Sequence, residues 1–391
     1  MELQKILSLI PSKLFKRLAT ETEVDVFVKK LYGEVVFKLL VFSIISQKSN
    51  SLRTMESSYE SLFFKLLSQK YHKGTVSYSS ISTRLSTITP VYFENLYTTC
   101  VKLYKKELGK EKEQIVRFDS TIVSLVTKLL DVGYHLKGGD ADKVRQLKFT
   151  IGFSNNIPEI AQFYHTQTYT SENVALKEVI LLQAERDNKS IKVFDKGITA
   201  RKTYDEFSDK RIQFISRLNN NAKYDVVRNH DIKIEMPLTT HTLTMVSDNW
   251  CQLYGTAGKA KHLVRRIEAI VKATDETIVF ITNNETLTAI EITELYKRRW
   301  DIEVFFKFIK QLLNFKHLIN RTENGIKVML YATMITALLL AAFKKVKKLE
   351  GYKICKQKFE NELEIEIVKE LVILCDGNID KLNEILLCNT S

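Results

Sequence analysis

Two short apolar segments, each followed by an aspartate, constrain the fold of this chain most strongly. Residues 114–118 (QIVRF) precede Asp119, and residues 191–194 (IKVF) precede Asp195. Short runs rich in β-branched and aromatic residues predict buried strands. An aspartate at the carboxyl end of such a strand marks many ligand sites in α/β sheets, but aspartate also caps turns and helices. Either aspartate alone favours the capping role.

A third acidic residue, Glu303, lies on a predicted helix with three partners on one face. Tyr296, Arg299, Glu303 and Lys310 follow one another at steps of three, four and seven residues. On a helix these steps keep the side chains within roughly 60° of each other. A carboxylate beside a guanidinium, an ammonium and a phenol suits a site that holds a metal ion and a phosphate together. The alternative is a solvated face with spaced ion pairs.

Together the three carboxylates predict a divalent metal site. Phosphodiester chemistry needs an activated water or 3′-hydroxyl and a stabilised leaving oxygen, and two Mg²⁺ ions about 4 Å apart supply both. Hard cations prefer carboxylate oxygens. Two strand-end aspartates and one helical glutamate can converge on such a pair of ions.

These motifs resemble those of the DDE transposases of bacterial insertion sequences, in the branch with a Tyr–Arg–Glu–Lys signature (the insertion-sequence-four type). The signature Y-x2-R-x3-E-x6-K is matched without departure from Tyr296 to Lys310. Asp119 is followed by two small hydroxyl residues, as in the family. After Asp195 the chain has Lys196 where the family usually has arginine. The resemblance covers roughly residues 114–343.

The resemblance implies an α/β fold with a ribonuclease-H-like mixed sheet. The predicted order after residue 114, β-β-β-α-β-α-β, suits the same fold, with a short helix and a polar loop at residues 138–140 after Asp119. The predicted parts are an all-helical N-terminal DNA-binding domain (1–110), the first part of the catalytic core (111–218), a β-rich insertion (219–283), the second part of the core (284–343) and a helical C-terminal tail (344–391).

The function implied by the resemblance is DNA transposition. Such an enzyme binds the terminal inverted repeats of its element, cleaves there and joins the ends to target DNA, and this branch commonly passes through a hairpin intermediate. Asp119, Asp195 and Glu303 are then the ligands of two Mg²⁺ or Mn²⁺ ions. The implied partners are double-stranded DNA, at transposon ends and target, and a second copy in a synaptic homodimer.

The resemblance also gives roles in DNA binding, each with a simple ion pair or packing role as the alternative. Arg299 and Lys310 are expected to clamp phosphates, and Tyr296 to hydrogen-bond a phosphate near the scissile bond. Lys148 and Lys196 lie near the predicted strands of the site, so they are candidates for further contacts.

Two more candidates lie outside the predicted core. Trp250 is a candidate for stacking on a flipped base, although a core tryptophan of the insertion is the stronger alternative. Trp300 is expected to pack in the core. Arg84 belongs to residues 75–85, which fit the turn and recognition helix of a helix-turn-helix or, alternatively, a polar loop and a capped helix.

Charge supports a polyanionic partner. The net charge is +13, and residues 1–110 carry 17 Lys and Arg against 9 Asp and Glu. Such a balance favours nucleic acid over a membrane surface. Scattered cysteines without a CxxC pair, and no signal peptide pattern, predict a protein of a reducing cytoplasm. The resemblance implies that this is the bacterial cytoplasm, with association with the nucleoid. The apolar run at residues 328–343 is shorter than the ~20 residues of a membrane span, so we expect a buried helix packed against the sheet.

Two other functions stay open at this stage. One is a metal-dependent nuclease on the same fold, which cleaves DNA without joining it. The other is a domesticated DNA-binding protein without catalysis, which the three intact carboxylates and the complete signature disfavour.

Overall fold

The computed structural model describes residues 7, 10–47, 50–68, 73–108, 115–126, 132–135, 144–231, 236–256, 258–315 and 317–388. The chain divides into two compact units. The first comprises Met1–Gly109, Thr127–Val132 and Lys307–Ser391, and the second comprises Lys110–Val126 and Gly133–Phe306. The predicted polar loop at residues 138–140 lies outside the described residues.

The N-terminal part of the first unit is helical, as predicted. Its helices are α1 (Ser12–Thr22), α2 (Gly33–Ser46), α3 (Leu52–Glu60), α4 (Leu62–Ser68), α5 (Tyr78–Thr87) and α6 (Pro90–Leu108). Serine side chains start two of them, because the Ser51 and Ser77 hydroxyls accept hydrogen bonds from free backbone N–H groups of α3 and α5.

Twelve strands form a large mixed sheet in the described part of the second unit. They are β1 (Ile115–Val126), β2 (Tyr134–His135), β3 (Val144–Ser154), β4 (Ile157–Tyr164), β5 (Ile191–Phe194), β6 (Phe214–Leu218), β7 (Tyr224–Asn229), β8 (Leu238–Thr239), β9 (Leu243–Gly255), β10 (Gly258–Lys259), β11 (Val264–Val271) and β12 (Thr277–Thr282). Across the sheet the order is β10-β9-β11-β12-β6-β5-β1-β3-β2, with β4 paired to β3 and β7 and β8 paired to β9.

The centre of the sheet is parallel and its flanks are antiparallel. β1, β5 and β6 run parallel to one another, while β3 pairs antiparallel with both β1 and β4. β12 pairs antiparallel with β6, so the strands after β6 extend the same sheet. Two helices, α7 (Glu172–Arg186) and α8 (Arg201–Asp209), occupy the connections on either side of β5.

Strand β1 differs from its prediction. The short helix expected after Asp119 is absent from the described residues, because β1 continues to Val126 and pairs with β3 along that length. Thr121, Ile122 and Val123 are β-branched, which favours the extended strand. Asp119 therefore lies inside a long strand, at the point where its parallel partner β5 ends.

The remaining helices are α9 (Ala289–Lys297), α10 (Trp300–Leu312), α11 (Glu323–Val346), α12 (Tyr352–Leu374) and α13 (Ile379–Cys388). By length and composition α11 is able to cross a membrane, but 89% of its most apolar 18-residue window is buried inside the protein. The main neighbours of α11 are α2, α5, α6 and α12. The predicted burial of this helix is confirmed, and the main neighbours that bury it inside the first unit are helices.

Candidate active site

Two neighbouring strands bring Asp119 and Asp195 together. The last parallel pair between β1 and β5 is Phe118 with Phe194, and each aspartate follows directly. Adjacent strands lie about 4.8 Å apart, so the two carboxylates share one edge of the parallel centre. The backbone carbonyl of Asp195 also accepts a hydrogen bond from the Ser216 hydroxyl at 3.2 Å.

The carboxyl group of Asp119 is strongly perturbed. Burial is the main cause that raises the pKa of Asp119 to about 6, and the negative charges of Glu172 and Asp195 add to it. Two contacts oppose this shift: the Ser120 N–H, which donates to Asp119 Oδ1 at 2.8 Å, and the guanidinium of Arg299. A buried carboxylate with acidic neighbours is a common feature of sites that bind cations.

The signature residues supply the other side of the site. The Tyr296 hydroxyl donates to Asp195 Oδ1 at 3.2 Å. Arg299 Nη1 lies 3.7 Å from Asp119 Oδ2, and its Nη2 donates to Glu303 Oε1 at 2.5 Å. Burial and the charge of Asp195 raise the pKa of Tyr296, so this side chain stays a hydroxyl donor.

The signature lies on two helices rather than one. α9 ends at Lys297 and α10 begins at Trp300, so the predicted continuous helix is wrong. At the break, Arg299 N donates to Tyr296 O at 2.8 Å and Ile302 N donates to Arg299 O at 3.2 Å. Hydrogen bonds between residues three apart wind the backbone more tightly than an α-helix does. Lys310 lies on α10, seven residues beyond Glu303, and so on the same helix face.

The donor set fits a divalent metal ion in its chemistry. Asp119 and Asp195 offer hard oxygen ligands at one sheet edge, and Glu303 contacts the same guanidinium as Asp119. Among the described residues, however, no group of three or more His, Cys, Asp or Glu side chains is placed to hold a metal. Arg299 bridges Asp119 and Glu303 in the arrangement observed.

Sequence reasoning missed Glu172, which lies beside Asp119 at the start of α7. Lys148 Nζ donates to Glu172 Oε1 and to the Thr170 carbonyl, both at 2.8 Å. The Lys148 side chain is 0% exposed, so it offers no surface to a phosphate, and its predicted DNA contact is wrong. An acidic residue in the first turn is common in helices, so nothing in the sequence distinguished Glu172.

A basic cavity begins at Lys196, the exposed residue after Asp195. Its volume is about 600 Å³, and four cations line it: Lys196, Arg201, Arg217 and Lys223. Tyr254 also lines this cavity, and no acidic side chain does so among the described residues. The arrangement favours a polyanion, and it leaves Lys196 accessible.

The burial and contacts of three further residues bear on their predicted roles. Trp250 is 4% exposed, and its indole donates to His230 Nδ1 at 3.0 Å, so it is a core residue of the sheet. Arg84 donates to the carbonyls of Leu31 at 2.9 Å and Val24 at 2.7 Å, so it ties α5 to the segment between α1 and α2. Trp300, expected in the core, is 63% exposed at the start of α10.

The fold and the site place this chain among α/β proteins with an acidic site at an edge of parallel strands. The sequence profile of the family described as transposase DDE domain matches residues 110–340, which is more than half of the chain. The chain belongs to this family, which confirms the resemblance to DDE transposases.

Curated relatives carry the same description. A putative transposase for insertion sequence element IS4SA of Synechocystis sp. is 28% identical over 258 residues, which is 60% of this chain and 64% of that protein. A probable transposase for insertion sequence element IS5377 of Geobacillus stearothermophilus is 30% identical over 136 residues, 35% of this chain and 34% of that protein. A putative transposase of Sinorhizobium fredii is 28% identical over 148 residues, 38% of this chain and 41% of that protein. The chain thus spans less than two thirds of each relative's length.

A solved structure shares the fold. The cryo-EM structure of the piggyBac transposase synaptic complex with hairpin DNA has a TM-score of 0.51 and 7% identity, over 95% of this chain and 82% of that chain. At this identity the likeness concerns the fold alone.

Proposed function

We propose that this protein is a DNA transposase that cleaves DNA at the inverted repeats of its own insertion sequence and joins the ends to target DNA. The observation that carries the proposal is the meeting of Asp119, Asp195, Arg299 and Glu303 around one sheet edge in a chain of the DDE family. The order β4-β3-β1-β5-β6, with its parallel centre, supports a ribonuclease-H-like sheet.

Asp119, Asp195 and Glu303 are the proposed ligands of two Mg²⁺ or Mn²⁺ ions. Bound there, the ions activate the attacking oxygen and stabilise the leaving oxygen. The protein's own groups prepare the site: the Ser120 N–H orients Asp119 and the Tyr296 hydroxyl orients Asp195. Arg299 offsets the negative charge of Asp119 and Glu303.

DNA contacts follow from the exposed and basic residues around this edge. Arg299, Lys310 and Tyr296 are proposed to hold phosphates near the scissile bond. Lys196, which lines the basic cavity, is proposed to contact the adjoining part of the DNA strand. The exposed Trp300, rather than the buried Trp250, is proposed as an aromatic side chain for stacking on a base.

The rest of the proposal concerns the whole assembly. The basic N-terminal helices are proposed to bind the transposon end. Two ends must be handled together, so we propose a synaptic homodimer, cut-and-paste movement through a hairpin intermediate, and action in the bacterial cytoplasm at the nucleoid. The Tyr296–Lys310 signature supports the insertion-sequence-four branch.

The experiment is cleavage of a labelled duplex that carries the repeats flanking the gene. We expect the wild type with Mg²⁺ to cut at the repeat boundary, and Glu303→Gln to lose at least about 100-fold in rate, because removing one metal ligand weakens the charge stabilisation that the site supplies. Glu294→Gln is the matched control, since Glu294 is exposed on the neighbouring helix α9.

Three results decide between the candidates. Cutting by the wild type and the control, but not by Glu303→Gln, supports the site, and joining of the cut 3′ ends to a plasmid separates a transposase from a nuclease. Equal rates in all three proteins would remove Glu303 from the site. Binding of the repeats without cutting by the wild type would favour the non-catalytic DNA-binding protein.

A further inference from the structure

A fully buried ammonium lies close to the proposed metal site and takes no part in the chemistry described above. Lys148 on β3 is 0% exposed and pairs with Glu172. Burying a charge is costly unless it is paired and hydrogen-bonded. Here both conditions are met, because Lys148 Nζ also donates to the Thr170 carbonyl at 2.8 Å.

Glu172 has both carboxylate oxygens occupied. Oε1 accepts from Lys148 at 2.8 Å, and Oε2 accepts from the Ser120 hydroxyl at 2.9 Å. Ser120 is opposite Thr150 in the β1–β3 register, and the two hydroxyls share a hydrogen bond of 2.9 Å. The Ser120 side chain is therefore anchored by two partners on neighbouring elements.

This anchor reaches Asp119 through the backbone. Ser120 follows Asp119, and the Ser120 N–H donates to Asp119 Oδ1 at 2.8 Å. A peptide whose side chain is held on one face of the sheet has little freedom to turn its N–H away. The Asp119 carboxylate accepts a hydrogen bond from this N–H, so its orientation is fixed as well.

The pair is also neutral as a unit. Glu172 without Lys148 would add a negative charge beside a carboxylate that is already buried. Lys148 without Glu172 would place an unpaired cation beside a site for cations. The ammonium of Lys148 offsets the charge of Glu172, although Glu172 still contributes to the raised pKa of Asp119.

We propose that Glu172 and Lys148 are positioning residues that fix Asp119, through Ser120, for binding of the divalent metal. This inference rests on the proposed metal-dependent function and deepens it. Partners that orient metal ligands in this way typically change metal affinity by roughly 10–100-fold when they are removed.

The test is Mn²⁺ binding to the full-length, DNA-free protein, followed by the electron paramagnetic resonance of free Mn²⁺. We expect Glu172→Gln to weaken binding about 10–100-fold, and Ser120→Ala to weaken it in the same direction by a smaller factor. Ser120→Ala is included because it breaks the link without leaving Lys148 unpaired. Glu178→Gln is the matched control, because Glu178 lies on the same helix and accepts hydrogen bonds from the hydroxyls of Tyr164 and Tyr169.

Each result has a distinct meaning. Unchanged Mn²⁺ affinity in Glu172→Gln, with or without a lower melting temperature, would overturn the proposal and leave the pair a purely structural one. A loss in Glu172→Gln but not in Ser120→Ala would overturn the route through Ser120. Asp119→Asn identifies the site itself: if it binds Mn²⁺ as the wild type does, the proposed function loses its metal site.

Discussion

At the scale of single residues, Arg299 connects the two halves of the site. Its guanidinium is 3.7 Å from Asp119 and 2.5 Å from Glu303, so one cation compensates two carboxylates from separate elements. A divalent ion bound by the same carboxylates would take over that role and free Arg299 for a phosphate oxygen. Lysine is a poor substitute at this position, because a point charge cannot contact both carboxylates in the same fork geometry.

The second residue-scale argument concerns Asp119 and pH. In the folded protein burial raises the pKa of Asp119 to about 6 from an ordinary value of 3.8, so the folded state binds this proton more tightly than the unfolded chain. The contribution of Asp119 to stability therefore falls as pH rises from about 4 to about 6 and is constant above that range. Asp119→Asn lacks this titration. Its free energy of unfolding, relative to that of the wild type, should therefore increase as pH rises from about 4 to about 6.

Urea denaturation of both proteins from about pH 4 to pH 8, with EDTA present, measures this difference. A difference that is independent of pH would show that Asp119 titrates at its ordinary value in the folded state. Added Mn²⁺ should stabilise the wild type more than Asp119→Asn near pH 7, since only the wild type keeps the full set of carboxylates.

At the scale of elements, the sequence predicted strands better than breaks. The strands that precede Asp119 and Asp195 were predictable because β-branched runs leave few alternatives. The break between α9 and α10 was not, because residues 297–300 (KRRW) contain no glycine or proline to mark it. The order of the signature residues could be read from the sequence. The turn that directs Tyr296 to Asp195 and Arg299 to Asp119 could not be predicted from it.

Tertiary pairing explains the other errors. Lys148 looked like a DNA contact because lysine is rarely buried, and its partner Glu172 comes 24 residues later in the chain. For Trp250 the stronger alternative, a core residue, agrees with its 4% exposure on β9, which pairs with both β7 and β11. Charge and aromaticity could be read from the sequence, whereas burial depended on which elements became neighbours.

The apolar helix α11 gives an element-scale prediction. Leu338 is 0% exposed at its centre, so Leu338→Ala should lower the free energy of unfolding of the first unit by about 2–5 kcal/mol. Leu374→Ala, at a site that is 53% exposed, should change it by no more than about 0.5 kcal/mol. Circular dichroism at 222 nm in urea follows the helices. Equal small effects would contradict the packing of α11 inside the unit.

At the scale of the whole molecule, charge bears on the proposed binding of DNA. The net charge is +13, and the N-terminal 110 residues contribute +8 of it. Cationic side chains that neutralise phosphates release counterions from the DNA. The logarithm of the affinity for a duplex therefore falls linearly with the logarithm of the salt concentration, with a slope that grows with the number of phosphate contacts. The proposed contacts of DNA with the basic cavity at Lys196 should be visible as a change in the slope of log affinity against log salt.

We therefore predict a steep salt dependence with a residue-specific change. If six to ten phosphates are contacted, affinity for the repeat duplex should fall about 10³–10⁵-fold between 50 and 200 mM salt. Lys196→Gln should reduce the slope of log affinity against log salt by about one, because Lys196 is exposed at the cavity. Lys369→Gln, whose ammonium pairs with Glu366 at 3.2 Å, should leave the slope unchanged. Fluorescence anisotropy of a labelled repeat measures all three slopes, and a wild-type slope near zero would mean that the positive charge serves another partner than DNA.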